Sequence, residues 1–232
     1  MCGRFTLRVP ASVIAEQFSV LEVPDLQARF NIAPTQPVAA VRQANPQSRE
    51  LSMFRWGLVP HWAKDVSIGN SLTNARSETV ASKPAFRSAF RKRRCLIVAD
   101  GFYEWQRSKS RKQPFFIHRR DDRPFAMAGL WESWGGDGGH LETCTIVTTE
   151  ANDLMRPIHD RMPVIIAPGD YAAWLDQEYD GGDSLLEMLK PYAGGDLEAY
   201  TIATRVNSPR NDGPELIERS DPPQSRERSL FD

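Results

Sequence analysis

Apolar and polar residues alternate along much of the chain with the period of two that is typical of half-buried strands. Val38 to Val41 and Leu51 to Trp56 alternate on either side of a polar connection, which predicts an antiparallel pair. The continuous apolar run from Cys95 to Ala99 predicts a fully buried strand. Further strands are predicted at Pro114 to His118, Pro124 to Trp131, Glu142 to Thr149 and Ala199 to Thr204, with a glycine-rich hairpin tip at residues 135–139.

Helical spacing is confined to four short segments. Pro10 to Phe18, with Ser12 as a candidate cap, and Lys83 to Arg94 place their apolar residues three and four apart. Gly169 to Asp176 and Asp183 to Leu189 predict two more amphipathic helices. Many short strands with few helices predict a single α+β domain with a mostly antiparallel, barrel-like β-sheet and peripheral helices.

Two stretches follow neither period. Residues 29–35 are predicted to form a turn, because Pro34 excludes helix at the residue before it. Residues 56–65 hold two tryptophans, a histidine, a glycine and a proline without helical or strand spacing. Aromatic rings in an irregular segment commonly meet a ligand or a base. We expect Trp56 to belong to the core and Trp62 to face a ligand.

The composition describes a chain that can bury a core in a reducing compartment. Of its 232 residues 41% are apolar, and six are tryptophans. The three cysteines, Cys2, Cys95 and Cys144, lack CxxC spacing, which argues against a disulfide framework and a cysteine zinc site. The sequence shows neither a signal peptide nor the roughly 18 apolar residues that a membrane span needs. We expect a soluble, cytoplasmic protein without a membrane partner, a metal or a cofactor.

The net charge of -1 hides an asymmetry between the two halves of the chain. Residues 1–120 hold 20 Lys and Arg against 8 Asp and Glu, whereas residues 121–232 hold 9 against 22. Within the predicted helix at residues 83–94, five positive charges follow one another without an acid between them. Such a split predicts either one face for a polyanion or charges that intermix in space after folding.

Candidate chemistry begins at the first residues, Met1-Cys2-Gly3-Arg4. Trimming of Met1 would leave an α-amine and a thiol on the same residue, with ordinary pKa values of about 8 and about 8.5. A desolvated or electropositive site, with Arg4 as a cation beside the thiol, would make both groups nucleophilic near neutral pH. A 1,2-aminothiol traps an aldehyde as a thiazolidine, and the same arrangement suits an N-terminal-nucleophile hydrolase. The alternative is a cysteine that packs as a small apolar residue.

Three other segments contain candidates for proton transfer and positioning. Glu104 lies among aromatic residues whose desolvation should raise its pKa, although a surface glutamate paired with an arginine is the alternative. Asn74 and Arg76 share a face if the chain is extended there, so that an amide and a guanidinium could meet a sugar phosphate. His159 precedes an apolar strand, and Asp160 could fix its tautomer.

Six segments in order carry a resemblance to a known family. They are the MCGR start, Asn31-Ile-Ala-Pro34, Trp56-Gly-Leu-Val-Pro60, Asn74-Ala-Arg76-Ser-Glu78, Gly101-Phe-Tyr-Glu104-Trp105 and His159-Asp-Arg-Met-Pro163. With them the chain resembles the SOS-response-associated peptidase (SRAP) family, known for covalently capturing abasic sites in single-stranded DNA. We expect an SRAP-like domain over residues 2–219 and a disordered tail over residues 220–232, which lack apolar residues until Leu230.

The resemblance implies a role for each candidate residue. Cys2, once exposed, would attack the ring-opened deoxyribose aldehyde through its amine and close a thiazolidine. Asn74 would position the sugar and the terminal residue, Glu104 would move protons, and His159 would act as acid or base on the imine and in reversal. The DNA contacts that the resemblance implies are phosphate contacts by Arg76 and Arg161, stacking by Pro34 and Trp62, and assistance by Arg4.

The resemblance implies a nucleoid-associated monomer that takes abasic single-stranded DNA, with lyase or peptidase activity as side capabilities. Two other functions stay open. One is an N-terminal-nucleophile thiol peptidase. The other is a single-stranded DNA-binding module without chemistry that relies on Arg76, the basic segment at residues 87–94 and Trp62.

Overall fold

Short strands dominate the chain in the computed structural model, which describes residues 2–107, 112–136, 139–179 and 183–221. The strands are β1 (Phe5–Leu7), β2 (Arg29–Ile32), β3 (Pro37–Asn45), β4 (Ser48–Trp56), β5 (Asn74–Arg76), β6 (Arg94–Ala99), β7 (Gly101–Arg107), β8 (Lys112–Arg119), β9 (Phe125–Gly136), β10 (Gly139–Glu150), β11 (Arg161–Pro163), β12 (Ile165–Ile166) and β13 (Leu197–Thr201). The α-helices are α1 (Ala11–Phe18), α2 (Arg87–Lys92), α3 (Tyr171–Leu175) and α4 (Asp183–Glu187), and 3-10 helices lie at Val66–Ser71, Pro168–Asp170, Thr204–Asn207 and Pro214–Ile217.

Five of the strands close into a ring. β3 pairs with β4 and with β6, β9 pairs with β6 and with β10, and all four pairings are antiparallel. β10 completes the ring through a parallel pairing with β4, in which Cys144 lies opposite Trp56. Closing the ring removes its sheet edges. The predicted α+β domain with a mostly antiparallel, barrel-like sheet is confirmed.

A second sheet, in the order β13-β8-β7-β1-β2, brings the start of the chain beside β7. Phe5 of β1 lies opposite Phe102 of β7, and the Tyr103 amide donates a hydrogen bond to the Arg4 carbonyl at 3.0 Å. Continuing this antiparallel register toward the start of the chain leads to Glu104 and the residue after it. The pairing therefore carries Cys2 toward the glutamate.

Side chains of β7 alternate between two hydrophobic clusters. Phe102 belongs to the main core, whereas Tyr103 belongs to a smaller cluster against which Trp105 packs. These residues fall on two faces because successive strand residues point to opposite sides. Trp56 is fully buried, as expected for a core residue.

Several local predictions are wrong or imprecise. Residues 29–35 do not form one turn: Arg29–Ile32 is a strand because it pairs with β1, and the turn is restricted to the residues around Thr35, whose φ is 73°. Helix α1 begins after Pro10 without a side-chain cap, so Ser12 does not cap it. Helix α2 covers only Arg87–Lys92 of the predicted segment at residues 83–94, because Arg94 already opens β6.

The predicted ends of two features lie outside the described residues. From residue 222 on, the expected tail is outside the described part, whereas the Ser220 amide donates to the Thr201 carbonyl of β13 at 3.0 Å. Residues 137–138 of the predicted hairpin tip are also outside it, but Gly136 and Gly139 lie opposite each other in the β9–β10 pairing. Among the described residues, no helix is both long and apolar enough to cross a membrane.

Candidate active site

Four separate parts of the chain meet where its N-terminal end enters the fold. Cys2 precedes β1, Asn74 opens β5, Glu104 lies in β7, and His159 lies in the loop before β11. Each is placed by backbone pairing of its own element, since β1 pairs with β7 and both β5 and β11 pair with β10. The sheet pairings thus bring these side chains together although the sequence separates them.

Asn74 holds the start of the chain in place. Its Nδ2 donates to the Cys2 carbonyl at 2.9 Å and to Thr73 Oγ1 at 3.2 Å. Its Oδ1 is buried and has no hydrogen-bond partner among the described residues. A buried acceptor without a partner costs free energy, on the order of 1–3 kcal/mol. This oxygen is therefore well suited to accept a hydrogen bond from a substrate hydroxyl or from the α-amine that Cys2 would carry after removal of Met1.

Glu104 is a buried carboxylic acid beside a histidine. The side chain is 2% exposed, and its Oε2 lies 4.0 Å from His159 Nε2. Burial raises the pKa of Glu104, as its aromatic neighbours in the sequence predict, while the nearby His159 acts to lower it. A carboxyl group with a raised pKa can both donate and accept a proton during a reaction.

The ring of His159 is held at the nitrogen that faces away from Glu104. Nδ1 lies 2.8 Å from Asp160 Oδ1 and accepts a hydrogen bond from the Arg161 amide at 3.0 Å. The two contacts require opposite states of Nδ1, because a carboxylate needs a proton there and an amide donor needs a lone pair. The site thus offers a partner to either state of the ring, which suits a group that exchanges protons through Nε2.

Cys2 is completely buried in the structure of a chain whose sequence still begins with Met1. Burial raises the pKa of its thiol above the usual range, the charge of Glu104 raises it further, and a hydrogen bond from the Arg4 backbone lowers it. The prediction that the Arg4 side chain lies beside the thiol is wrong. The Arg4 guanidinium instead donates to Asn31 Oδ1 at 2.8 Å and to the Val206 carbonyl at 3.0 Å.

The predicted DNA contacts differ in how freely they could meet a strand. Arg76 is exposed and lies in β5 two residues after Asn74, and Trp62 is 52% exposed. Pro34 is half-buried. Arg161, by contrast, forms a two-pronged ion pair with Glu78, in which Nη2 and Oε2 are 3.0 Å apart.

The charges of the two halves of the chain partly intermix in space. Among the described residues, six ion pairs join the basic first half to acids of the second: Arg8–Asp122, Arg29–Asp212, Arg42–Glu142, Arg93–Glu132, Arg119–Asp121 and Arg119–Asp196. In the basic segment, Arg94 is buried and donates to the Trp174 carbonyl at 2.6 Å and the Phe90 carbonyl at 2.8 Å. Arg94 is therefore a structural residue, and only part of the segment remains available to a polyanion.

Gln106 is a supporting residue that the sequence analysis missed. Its Nε2 donates to the Pro157 carbonyl at 2.9 Å and so ties the loop that carries His159 to β7. Its place two residues after Glu104 was the available signal, because alternate residues of a strand share a face. Among the described residues, no group of three or more His, Cys, Asp or Glu side chains is placed to hold a metal ion.

Comparison with known proteins decides the family. The model of the family described as SOS response associated peptidase (SRAP) matches residues 1–209. The chain belongs to the SRAP family. All four residues of the site lie within the part that this SRAP model matches.

The chain is similar in sequence to bacterial and vertebrate proteins. "Abasic site processing protein YoqW" of Bacillus subtilis is 44% identical over 94% of this chain and 99% of its own. "Abasic site processing protein HMCES" of Xenopus tropicalis is 33% identical over 76% of this chain and 59% of its own. A crystal structure of a protein from Bacteroides thetaiotaomicron shares the fold with a TM-score of 0.84, at 26% identity over 94% of this chain and 100% of that one.

Proposed function

We propose that this SRAP protein captures abasic sites in single-stranded DNA as a covalent crosslink through Cys2, after removal of Met1. The observation that supports this most directly is the meeting of Cys2 with Asn74, Glu104 and His159, an aminothiol precursor beside an amide and two proton-transfer groups. The names of its relatives give the class of substrate, an abasic site. An abasic sugar in its ring-opened form carries the aldehyde that an aminothiol traps.

In the proposed reaction, the α-amine of Cys2 adds to C1′ of the ring-opened sugar. Loss of one water from this adduct gives an imine. The thiol then adds to the imine carbon, so that a C–S bond forms while the nitrogen gains the proton that the sulfur gives up. Aldehyde and aminothiol together yield a five-membered thiazolidine and one water.

Glu104 is proposed to carry the protons of both steps. As a neutral acid it protonates the departing hydroxyl, and as a carboxylate it then accepts the proton of the thiol. The second transfer matters because burial raises the pKa of the Cys2 thiol, so the sulfur keeps its proton until a base takes it. His159, 4.0 Å from Glu104, is proposed to act as acid or base on the imine and in reversal.

The residues expected to contact DNA are proposed to hold the strand. Arg76 is exposed and lies two residues after Asn74 in β5. This position suits a phosphate contact close to the reacting sugar. Trp62 and Pro34 are proposed to stack on bases. Arg161 would have to exchange Glu78 for a phosphate, and Arg4 is proposed to act by fixing the start of β1.

The test incubates the purified protein with a single-stranded oligonucleotide that holds one abasic site and separates the products under denaturing conditions. The proposal predicts a denaturant-resistant adduct with the abasic oligonucleotide and none with its intact counterpart. Cys2→Ala should bind the oligonucleotide but form no such adduct. A parent protein without an adduct, or a Cys2→Ala variant with one, contradicts the proposal.

The same variant separates the proposal from its two rivals. The family description names a peptidase, and a peptidase that uses the Cys2 thiol would lose peptide cleavage in Cys2→Ala. A binding module without chemistry would hold intact and abasic strands equally well, with salt-sensitive affinity and no adduct in the parent. Strand cleavage by the parent at the abasic site would show the lyase activity that an imine intermediate permits.

A further inference from the structure

A cleft outside the Cys2 site has one basic wall and one aromatic wall. The cleft has a volume of about 530 Å³ and lies between the loop of residues 60–63 and helix α2. Trp62 and His61 line one wall, and Arg87, Arg91 and Lys92 line the other. The residues that line it include no acid.

The basic side chains of this cleft are available for a ligand. Arg87, Arg91 and Lys92 are exposed, and within the described part of the chain none of the three side chains makes an ion pair. Arg87 and Arg91 are four residues apart on α2, which places their Cβ atoms about 5–6 Å apart on one side of the helix. Two guanidiniums at this spacing can contact successive phosphates of one strand.

The opposite wall offers an aromatic face that the fold holds rigidly. The indole of Trp62 is 52% exposed. Its loop is fixed because Trp134 Nε1 donates to the Ala63 carbonyl at 2.7 Å and the Ala63 amide donates to the Pro60 carbonyl at 2.8 Å. An exposed aromatic ring on a fixed loop is a stacking platform for an unpaired base.

One buried carboxylate ties the two walls together. Glu132 Oε2 lies 3.5 Å from His61 Nδ1 in the loop and 2.9 Å from Arg93 Nη2 at the end of α2. Arg93 also donates to Ser88 Oγ of α2 at 3.0 Å. The width of the cleft is therefore set by the protein before any ligand binds, which lowers the entropic cost of binding.

The cleft is joined to the site through the chain that links β4 to its loop. Trp56, the last residue of β4, packs its ring 5.3 Å from Phe5 and donates from Nε1 to the Thr73 carbonyl at 2.8 Å, next to Asn74. Trp62 follows Trp56 by six positions, so the two lie at most about 22 Å apart. At the stacked spacing of about 3.4 Å per nucleotide, this upper limit corresponds to about six nucleotides.

We propose that this cleft is a second nucleic-acid site that holds the unpaired strand to one side of the sugar captured at Cys2. Trp62 stacks on one base, and Arg87 and Arg91 bind two successive phosphates. The assignment of the ligand as DNA rests on the proposed function. The site extends the footprint of the protein beyond the residues around Cys2 and makes affinity depend on the length of strand beside the lesion.

The test measures binding of an intact, non-reactive single-stranded oligonucleotide, so that capture does not enter the readout. Arg87→Ala/Arg91→Ala is compared with the parent and with Arg120→Ala/Arg123→Ala, a control that removes the same two charges from the exposed turn after β8. Each lost phosphate contact reduces the salt slope by about 0.7, so the ratio of parent to variant affinity should fall about seven-fold between 50 and 200 mM salt. Trp62→Ala should lower the affinity about five-fold or more.

The outcomes decide between the cleft and the proposed chemistry. Equal affinity and salt slope in Arg87→Ala/Arg91→Ala and in the control would overturn the second site, even if the parent forms its adduct with abasic DNA. A parent that makes no adduct, but whose binding depends on Arg87 and Arg91, would contradict the capture proposal and support the cleft. A blunt duplex that competes as well as the single strand would overturn the assignment of an unpaired strand.

Discussion

Two buried glutamates of this protein each face a histidine, and their surroundings differ. Glu132 lies 3.5 Å from His61 and accepts a hydrogen bond from Arg93 at 2.9 Å. Glu104 lies 4.0 Å from His159, and burial raises its pKa. The Arg93 guanidinium holds the Glu132 side chain in one position, whereas desolvation makes the Glu104 carboxyl group easier to protonate.

The two glutamate centres differ in the reactive groups that surround them. Burial and a nearby histidine are common to both glutamates, so neither is decisive. The Glu104 centre also contains the Cys2 thiol, whose pKa is raised by burial and by the glutamate, and the amide oxygen of Asn74, which has no hydrogen-bond partner in the described part of the chain. We infer that the Glu132 centre supports structure and that the Glu104 centre supports chemistry.

The largest effect is expected when the thiol is removed from the Glu104 centre. Cys2→Ser keeps a small residue and a terminal amine after Met1 removal, but a hydroxyl is a far weaker nucleophile than a thiol. We expect loss of the denaturant-resistant adduct and retention of an imine that borohydride reduction can trap.

The control for this prediction is Cys144→Ala, which removes a thiol that is equally buried but lies in the barrel. It should form the adduct, at a stability cost on the order of 1 kcal/mol. A stable adduct in Cys2→Ser would show that the sulfur is not part of the bond.

The next largest effect is expected from a matched pair of glutamate variants. Glu104→Gln should slow capture roughly 1,000-fold under single-turnover conditions, because proton transfer in both steps is lost. Glu132→Gln should slow it less than about ten-fold, through the cleft that Glu132 supports. Equal rates of capture in Glu104→Gln and the parent would contradict the proposed role of Glu104 in proton transfer.

The two histidines provide a smaller contrast of the same kind. His159→Gln should slow capture roughly 100-fold, while His61→Gln should leave the rate within about three-fold of the parent. The reversal rate sharpens the test, because release of a preformed adduct should also slow in His159→Gln. A His159→Gln variant that captures and releases at the parent's rates contradicts the proposed role.

The stability effects should have opposite signs at the two glutamates. Glu132→Gln should lower the free energy of unfolding by about 1–2 kcal/mol, since Arg93 loses a charged partner. Glu104→Gln should raise it at neutral pH, because a neutral amide avoids the cost of a buried carboxylate. Denaturant unfolding of both variants and the parent measures the difference.

The stability of the folded chain should depend on pH through Glu104. Its pKa is higher in the folded chain, so the unfolded chain ionises first as the pH rises from about 4.3, and folding stability falls until the folded carboxyl also ionises. Below about 4.3 both forms are protonated and the cost is absent. The stabilising effect of Glu104→Gln should therefore vanish at acidic pH. An effect that persists there contradicts the cause given.

Sequence periodicity predicted most of the strands because alternation reports which face is buried. It missed Arg29–Ile32 as a strand, since only pairing with β1 makes that short segment extended. The sequence also did not distinguish among the five basic residues of the segment at residues 87–94. The fold turns Arg94 inward onto backbone carbonyls and pairs Arg93 with Glu132, and neither contact has a local signal.

The site residues could be named from their segments, but their arrangement could not. The raised pKa of Glu104 followed from its aromatic neighbours. The position of the Arg4 side chain did not follow from being two residues from Cys2, because Asn31, from a distant segment, binds it. Contacts between distant segments depend on sheet pairing, which no single segment encodes.

The most direct test of the central claim is the intact mass of the protein crosslinked to an abasic oligonucleotide. The account predicts the mass of the chain without Met1, plus the oligonucleotide, less one water, with the modification mapped to Cys2. An adduct on a lysine, or on a chain that still carries Met1, would contradict it.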